Sequence, residues 1–248
     1  MSSVATVTKL AGLLPPDVAR LARGNLRRIV LRMVSCCQCE GIAAQFGSKT
    51  ARRELRRFHR RGPHRSTQVL IDGLRAEANA GASLLDIGGG VGAIHHTLID
   101  GGASDATHVD VSDDYIAAAR EEAARRGHAD RLRFVHGDFV QLAAGLSEAD
   151  IVTLDRVICC YPDMELLVGR AADKTRRLFG AVYPRNTALM RFAVRAINVL
   201  LRARRTAFRV FVHSPARIDD VLRQHGLDRI ERQRTMVWEI VVYGRRGR

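Results

Sequence analysis

The chain has 248 residues, of which 46% are hydrophobic and 5% aromatic, and its formal net charge at pH 7 is +14. This length and apolar content suit one globular domain with added segments. No apolar run reaches the roughly 18 residues that a membrane span needs, and arginines interrupt the first 35 residues, so we predict no membrane span and no secretory signal and expect a cytoplasmic protein.

The charge is distributed unevenly along the chain. Residues 1–80 carry 15 Lys and Arg against 5 Asp and Glu, residues 81–155 carry 5 against 13, and residues 156–248 carry 20 against 8. Basic flanks of this kind are found in nucleic-acid binders, in enzymes that attract anionic substrates or membrane surfaces, and in ordinary solvated helices. The charge pattern leaves these alternatives open.

The first 65 residues are predicted to form a basic N-terminal extension. It contains a cysteine cluster and a surface helix over residues 49–61, which ends at Gly62 and Pro63. We interpret the extension as partly flexible or as a cap on a domain that spans residues 66–248. That domain is predicted to begin with an amphipathic helix over residues 66–80, with Ser66 as its N-cap.

Strands and helices then alternate. The predicted strands are "SLLDIG", "ATHVDVS", "RLRFVHGD", "ADIVTLDRV" and "LFGAVYP", and the predicted helices between them cover residues 91–100, 113–127 and 164–177. Helices over residues 186–205 and 215–225 and two extended segments within 227–243 follow. Strict alternation predicts an α/β fold with a doubly wound, mostly parallel, Rossmann-like sheet. The final pair predicts an antiparallel edge strand.

A glycine-rich turn follows the first strand, in "LLDIGGGVGAIHH". Its G-x-G-x-G spacing differs from the G-x-G-x-x-G of dinucleotide sites, and no triphosphate-loop motif is present. Asp86, immediately before the turn, would repel a pyrophosphate and suits a cationic ligand such as an ammonium or a sulfonium. The glycines that we predict to contact this ligand are Gly88, Gly89, Gly90 and Gly92.

Further aspartates end the next three predicted strands. Asp110 lies 22 residues after Gly88, the spacing at which an acid reaches ribose hydroxyls. Asp138 can accept a hydrogen bond from an adenine amino group, with an apolar side chain on each face of the ring. Because ligands bind at the carboxyl ends of parallel strands, we predict one cofactor site here. Its remaining predicted members are Val111, Phe139, Asp155 and Arg156.

Four motifs in order resemble those of the class I S-adenosylmethionine-dependent methyltransferases, over roughly residues 66–243. They are "LLDIGGGVG" (84–92), "HVDVS" (108–112), "HGDF" (136–139) and "IVTLDRV" (151–157). The resemblance implies S-adenosylmethionine as cofactor, with residues 88–92 around its methionine part, Asp110 at the ribose and Asp138 at the adenine. An NAD-binding Rossmann domain is the alternative.

Two further stretches, "FGSKTARRELRRFHRRGP" and "LDRVICCYPD", are similar to the group of magnesium-protoporphyrin O-methyltransferases. Enzymes of that group methylate a propionate carboxylate. The similarity concerns the cofactor half far more than the substrate half, so the porphyrin substrate is not carried over.

Methyl transfer from a sulfonium is an in-line displacement, in which alignment is the main contribution of an enzyme. A general base is needed only for an acceptor that is protonated at working pH. The candidate catalytic residues are Tyr161, as a donor to the acceptor, and His95, as base or substrate contact, because one of His95 and His96 should face the cleft. A surface loop and a helix-packing histidine are the alternatives.

The basic helix over residues 186–205 is a candidate cap over the acceptor. One face carries Met190, Val194, Ile197 and Leu201, with arginines around it. We interpret it as a lid over an apolar, anionic substrate. A membrane-surface helix, a dimer helix and a core helix are the alternatives, and a homodimer stays open.

All five cysteines fall into two clusters, Cys36, Cys37 and Cys39, and Cys159 and Cys160. This spacing matches no known zinc motif, and thiols in the cytosol are usually reduced, so we expect neither a metal site nor a disulfide framework. A thiol cluster that binds zinc or a metalloid substrate is the alternative.

Taken together, these patterns predict a methyltransferase that acts on a small molecule, with oxygen favoured as the acceptor atom. An RNA methyltransferase is the first alternative. The basic flanks favour it, but no N/D-P-P-Y/F-type motif follows the fourth strand, so we expect no nucleic-acid partner. A regulatory protein that binds S-adenosylmethionine without turnover is the second alternative.

Overall fold

A computed structural model describes residues 41–78 and 80–247. The described residues belong to one compact unit. Most of the predicted extension, including Cys36, Cys37 and Cys39, lies outside the described residues. A domain boundary at residue 65 therefore stays a prediction.

The described chain alternates between strands and helices. The strands are β1 (Leu84–Ile87), β2 (Ala106–Asp110), β3 (Leu132–His136), β4 (Ala149–Asp155), β5 (Thr175–Pro184), β6 (Leu227–Arg234) and β7 (Trp238–Arg245). The helices are α1 (Ser48–Arg61), α2 (Arg65–Glu77), α3 (Ala93–Asp100), α4 (Asp113–Arg126), α5 (Phe139–Leu142), α6 (Met164–Asp173), α7 (Ala188–Ala203) and α8 (Pro215–Gln224). None of the described helices is long and apolar enough to cross a membrane.

The strands form one seven-stranded sheet in the order β3-β2-β1-β4-β5-β7-β6. Strands β1 to β5 are parallel, and β7 pairs antiparallel with both β5 and β6. This confirms the predicted Rossmann-like sheet with an antiparallel edge. The strand order reverses between β1 and β4, and in such sheets ligands bind at the carboxyl ends of the strands beside the reversal.

The central strands are buried on both faces, which explains their nearly continuous apolar sequences. Successive side chains point to opposite faces, so Leu84 and Ile151 join one core cluster, whereas Leu85 and Val152 join the other. Helices α2 and α3 cover the first cluster, and α6 and α8 cover the second.

Helix α1 buries one face instead of lying free on the surface. Leu55 and Phe58, three residues apart, pack with Tyr115 of α4 in a third apolar cluster. On the same side, the buried carboxylate of Glu122 pairs with His59 of α1 and with the guanidinium groups of Arg125 and Arg126. Helix α1 is therefore integrated with the sheet domain.

Two predicted element boundaries were wrong. Ser66 is not an N-cap, because α2 already begins at Arg65 and is preceded by His64. The helix predicted over residues 164–177 ends at Asp173, since Thr175 pairs with Ala149 of β4 and starts β5. Pairing with a neighbouring strand overrides the local helical pattern at this point.

Helix α7 confirms the predicted helix within two residues at each end. Of the apolar face identified in the sequence, Val194 and Leu201 are buried and Met190 is partly buried, whereas Ile197 is exposed. The large apolar side chains that α7 leaves exposed are Leu189, Phe192, Ile197, Val199 and Leu200.

We expect Phe58→Ala to lower the free energy of unfolding by about 3–5 kcal/mol, because the ring is 5% exposed and packs between α1 and α4. Phe192→Ala is the matched control, since its ring is 70% exposed, and should cost less than about 0.5 kcal/mol. Urea unfolding followed by circular dichroism measures both. Equal, small effects would show that α1 is dispensable for the stability of the domain.

Candidate active site

The turn between β1 and α3 depends on glycine conformation. Gly88, Gly90 and Gly92 have φ angles of +65°, +57° and +84°, in the left-handed region that side chains disfavour. Space is also limited, because a Cβ at Gly88 would overlap the side chain of Val157. The turn brings the backbone N–H groups of the loop to the carboxyl end of β1, where a ligand can approach them closely.

Asp110 ties this loop to the end of β2. One carboxylate oxygen accepts a hydrogen bond from the Gly90 N–H (3.1 Å), and the other accepts from the Ser112 N–H (2.9 Å). Burial raises the pKa of Asp110 to about 6. The carboxylate is therefore ionised at pH 7 but titrates well above the usual range for an aspartate.

A cavity of about 430 Å³ opens at the carboxyl ends of β1, β2 and β4. Its volume lies in the range of small-molecule sites. The structure brings most of the predicted site residues together in its lining, namely Asp86, Gly88, Gly89, Gly90, Asp110, Val111, Asp138, Phe139, Asp155, Arg156 and Tyr161. Gly92 and His95 are not among the described residues that line it.

Asp138 and Tyr161 interact with each other. Asp138 lies two residues beyond β3, where its carboxylate caps α5 by accepting from the Val140 N–H (3.0 Å). The Tyr161 hydroxyl donates to the other oxygen of Asp138 at 3.2 Å. We expected the Tyr161 hydroxyl to donate a hydrogen bond to the methyl acceptor, whereas in the structure it donates to Asp138. The catalytic role of Tyr161 stays a prediction.

Asp86 faces the interior of the protein. Its two oxygens accept hydrogen bonds from the Thr153 hydroxyl (2.7 Å) and from Nδ1 of His95 (2.9 Å), and burial raises its pKa. Both oxygens are thus engaged by protein donors. The direct contact with a cationic ligand that we expected of Asp86 stays a prediction.

The expectation that His95 or His96 faces the cleft is corrected. Both imidazoles are fully buried, with His95 against Asp86 and His96 against His128 (3.1 Å between Nδ1 atoms). They lie in the first turn of α3, which packs against the sheet immediately after the glycine turn. Burial lowers the pKa of His95 to about 3, so His95 is neutral at pH 7 and has no direct path to an acceptor.

Charged groups cluster at the end of β4. Asp155 accepts a hydrogen bond from the Thr67 hydroxyl (2.7 Å) and contacts the guanidinium of Arg156 at 3.3 Å. Arg156 has a φ of +61°, which is uncommon for a residue other than glycine and is frequent at functional sites. Glu54 of α1 lines the same cavity, beside Tyr115.

Sequence reasoning missed the apolar part of the lining. Phe46 packs between Tyr115 and Phe208, and its ring centroid lies 5.9 Å from that of Tyr115 and 5.7 Å from that of Phe208. Helix α7 contributes none of its described residues to the lining, whereas Phe208 and Val210, just beyond it, do contribute. Because only 5% of the chain is aromatic, the positions of these few residues were a signal that could have pointed to this part of the lining.

The two described cysteines also line the cavity. Cys159 is buried, Cys160 is partly buried, and their sulfur atoms are 3.8 Å apart without a disulfide. The hydrogen bond to Cys160 and burial raise the pKa of Cys159, so this thiol is protonated at pH 7.

Residues 84–177, from the start of β1 into β5, match a family model described as a methyltransferase domain. The chain therefore contains a methyltransferase domain, and its fold is that of solved methyltransferases with bound S-adenosylmethionine or S-adenosylhomocysteine. This confirms the family and the cofactor that the motifs implied, and it removes the NAD-binding alternative. No curated protein sequence matches the methyltransferase.

Several solved structures share the fold of the methyltransferase. The magnesium protoporphyrin IX methyltransferase of Synechocystis PCC 6803 with bound S-adenosylhomocysteine is 20% identical, with a TM-score of 0.65 over 82% of this chain and 98% of that one. An O-methyltransferase family protein of Burkholderia thailandensis is 15% identical, with a TM-score of 0.59 over 72% and 55%. The mitomycin 7-O-methyltransferase is 21% identical, with a TM-score of 0.54 over 77% and 57%.

We expect Gly88→Ala to weaken binding of S-adenosylhomocysteine at least tenfold, because its Cβ would displace Val157 and strain the turn. Gly127→Ala is the matched control, since Gly127 has a similar φ of +71° and open space around it. Titration calorimetry measures both. Equal affinities would remove the turn from the cofactor site.

We expect Asp110→Asn to weaken binding of S-adenosylhomocysteine at least tenfold, as for the loss of a charged hydrogen bond worth about 1.5–3 kcal/mol. In the wild type, affinity should fall as the pH drops below about 6, where Asp110 becomes protonated. The variant should lack this pH dependence. An identical fall in both proteins would assign the titration to another group.

We also expect Asp110→Asn to change how the free energy of unfolding depends on pH. Because the pKa of Asp110 is raised in the folded state, ionisation of its carboxyl group destabilises the fold as the pH rises from about 4 to 6. The free energy of unfolding of Asp110→Asn relative to wild type should therefore increase over this range, by at most about 3 kcal/mol. A pH-independent difference in urea unfolding would contradict the raised pKa.

Proposed function

We propose that the methyltransferase transfers the methyl group of S-adenosylmethionine to an anionic oxygen of an apolar small molecule. The observation that carries this proposal is the composition of the cavity. Beside the glycine loop its wall is mostly apolar, and Arg156 supplies the positive charge among the described lining residues.

The cofactor is proposed to occupy the half of the cavity nearest β1 and β2. Residues 88–90 would contact its methionine part, Asp110 its ribose and Asp138 its adenine amino group, with Val111 and Phe139 on the ring faces. The proximity of these side chains in one cavity and the bond between Asp110 and the Gly90 N–H support this arrangement.

The acceptor is proposed to bind against the apolar part of the cavity wall. The apolar residues of that wall come from the segment before α1, from the segment after α7 and from β7, and they are Ile42, Phe46, Phe208, Val210 and Trp238. A flat or branched apolar molecule would bury its surface there, while the guanidinium of Arg156 pairs with an anionic group.

The chemistry needs little beyond alignment. An oxygen lone pair attacks the methyl carbon, a carbon–oxygen bond forms, and the carbon–sulfur bond breaks with its electron pair going to sulfur. An acceptor oxygen that is already ionised needs no general base. The burial of His95 is compatible with such an acceptor, and two of the solved relatives are O-methyltransferases by name.

The direct test is a screen with S-adenosylmethionine labelled in the methyl group. Apolar carboxylic acids, phenols, amines and transfer RNA are offered separately, and labelled products are counted. We expect turnover on a carboxylic acid or phenol, with the label released by mild alkali when the product is a carboxylate ester. Labelling of RNA alone would overturn the proposal in favour of an RNA methyltransferase.

Arg156→Gln tests the anion contact. We expect the KM for an anionic acceptor to rise about 10- to 100-fold, the loss of one charged hydrogen bond, with the affinity for S-adenosylhomocysteine changed less than about threefold. Arg191→Gln on the exposed face of α7 is the control and should change neither value. A large loss of cofactor affinity instead would place Arg156 at the cofactor, as the sequence analysis predicted.

A further inference from the structure

Three buried polar side chains meet beneath the glycine loop. Asp86 on β1 and His108 on β2 are register partners in the parallel pairing of the two strands, so they point to the same face of the sheet. His95 reaches them from the first turn of α3, with its ring centroid 5.1 Å from that of His108. Each residue offers one ligand atom, and these atoms lie within 4.8 Å of one another.

The imidazoles of this group have nitrogen atoms without protein partners. Both ring nitrogens of His108 and Nε2 of His95 are buried and form no hydrogen bond. A buried polar group that lacks a partner costs about 1–3 kcal/mol, and native proteins rarely tolerate several in one place. The arrangement therefore indicates a ligand that fills the gap among the three side chains.

The chemistry of the donors selects the kind of ligand. A neutral imidazole keeps a free lone pair on one ring nitrogen, and both His95 and His108 have buried ring nitrogens without a hydrogen-bond partner. Asp86 adds a buried carboxyl group, whose oxygens contact the Thr153 hydroxyl and the His95 ring. Two imidazoles and one carboxylate suit zinc and its first-row neighbours, whereas magnesium and calcium prefer oxygen ligands alone.

We propose that Asp86, His95 and His108 bind a divalent transition-metal ion of the zinc type. Zinc–nitrogen bonds of about 2.0–2.1 Å require ligand atoms roughly 3.3 Å apart, so some of the side chains need to draw together by up to about 1.5 Å. The ion would join β1, β2 and α3. Gly89 of the glycine turn lies against the His108 ring, since a Cβ at Gly89 would be only 2.6 Å from Nδ1 of His108. An ion that holds His108 would therefore also hold the turn in place.

The position of the site implies coupling to the cofactor. Asp86 is among the residues that line the cavity, so, if the cofactor binds there as proposed above, the ion would exchange with solvent through the space that the cofactor occupies. A bound cofactor should therefore slow the release of the ion.

The experiment strips the full-length protein with a chelator, adds Zn²⁺ or Co²⁺ and removes excess metal by desalting. We expect about one ion to remain per chain, as for a structural site. His108→Gln and His95→Gln should each reduce retention at least tenfold, and His225→Gln, a solvent-accessible histidine paired with Asp173, should not change it. Loss of Co²⁺ to chelator should slow at least threefold with S-adenosylhomocysteine bound.

The Co²⁺ absorption spectrum identifies the ligands even if a histidine variant fails to fold. Nitrogen and oxygen ligands give visible ligand-field bands alone, whereas cysteine ligands add an intense thiolate-to-cobalt charge-transfer band. Wild-type protein that retains neither ion, a thiolate band, or equal retention by folded His108→Gln would each overturn the proposal. None of these outcomes depends on finding the methyl acceptor.

Discussion

The close approach of the β1–α3 turn to the end of β2 is the constraint on which the site depends. The chain reverses within five residues only because Gly88, Gly90 and Gly92 adopt left-handed backbone angles. The Gly90 N–H then reaches the Asp110 carboxylate, and Gly89 lies directly on the His108 ring. A Cβ at Gly89 would overlap the His108 ring of β2, and a Cβ at Gly88 would overlap Val157 beyond β4.

The turn lies between the solvent-accessible cavity and the buried interior of the protein, and the electrostatics of these two sides differ. On the cavity side, Asp110 remains ionised at pH 7 because backbone N–H groups partly offset its loss of hydration. On the interior side, the Asp86 carboxyl group interacts with the Thr153 hydroxyl and the His95 ring. A charged group in this buried region would lose its hydration. The same loop thus connects a ligand cavity with a buried polar cluster.

The acceptor wall is assembled from distant parts of the chain. The segment before α1, the segment after α7 and strand β7 all contribute apolar side chains to the lining of the cavity. Helix α1 is held in place by Phe58 and by the ion pairs of Glu122, so the stability of the N-terminal segment bears on the shape of the cavity. We propose that these additions select the substrate, because function in a shared fold resides in the site that a particular chain adds to it.

The sequence by itself determined the sheet, the turn and the family. Alternation of apolar runs with amphipathic helices implies a parallel sheet. The carboxyl ends of its strands must share one edge, so the sequence alone predicts that Asp110, Asp138 and Asp155 lie near the turn. These inferences succeed because they rest on local periodicity and on a topology that follows from it.

Only the tertiary structure decided the directions and partners of individual side chains. His95 was expected in the cleft but lies beneath it, because the orientation of α3 on the sheet is set by packing and not by its own sequence. The aromatic wall and the group of Asp86, His95 and His108 were invisible in the sequence for a related reason. Their members are separated along the chain, and only strand register and helix packing bring them within contact distance.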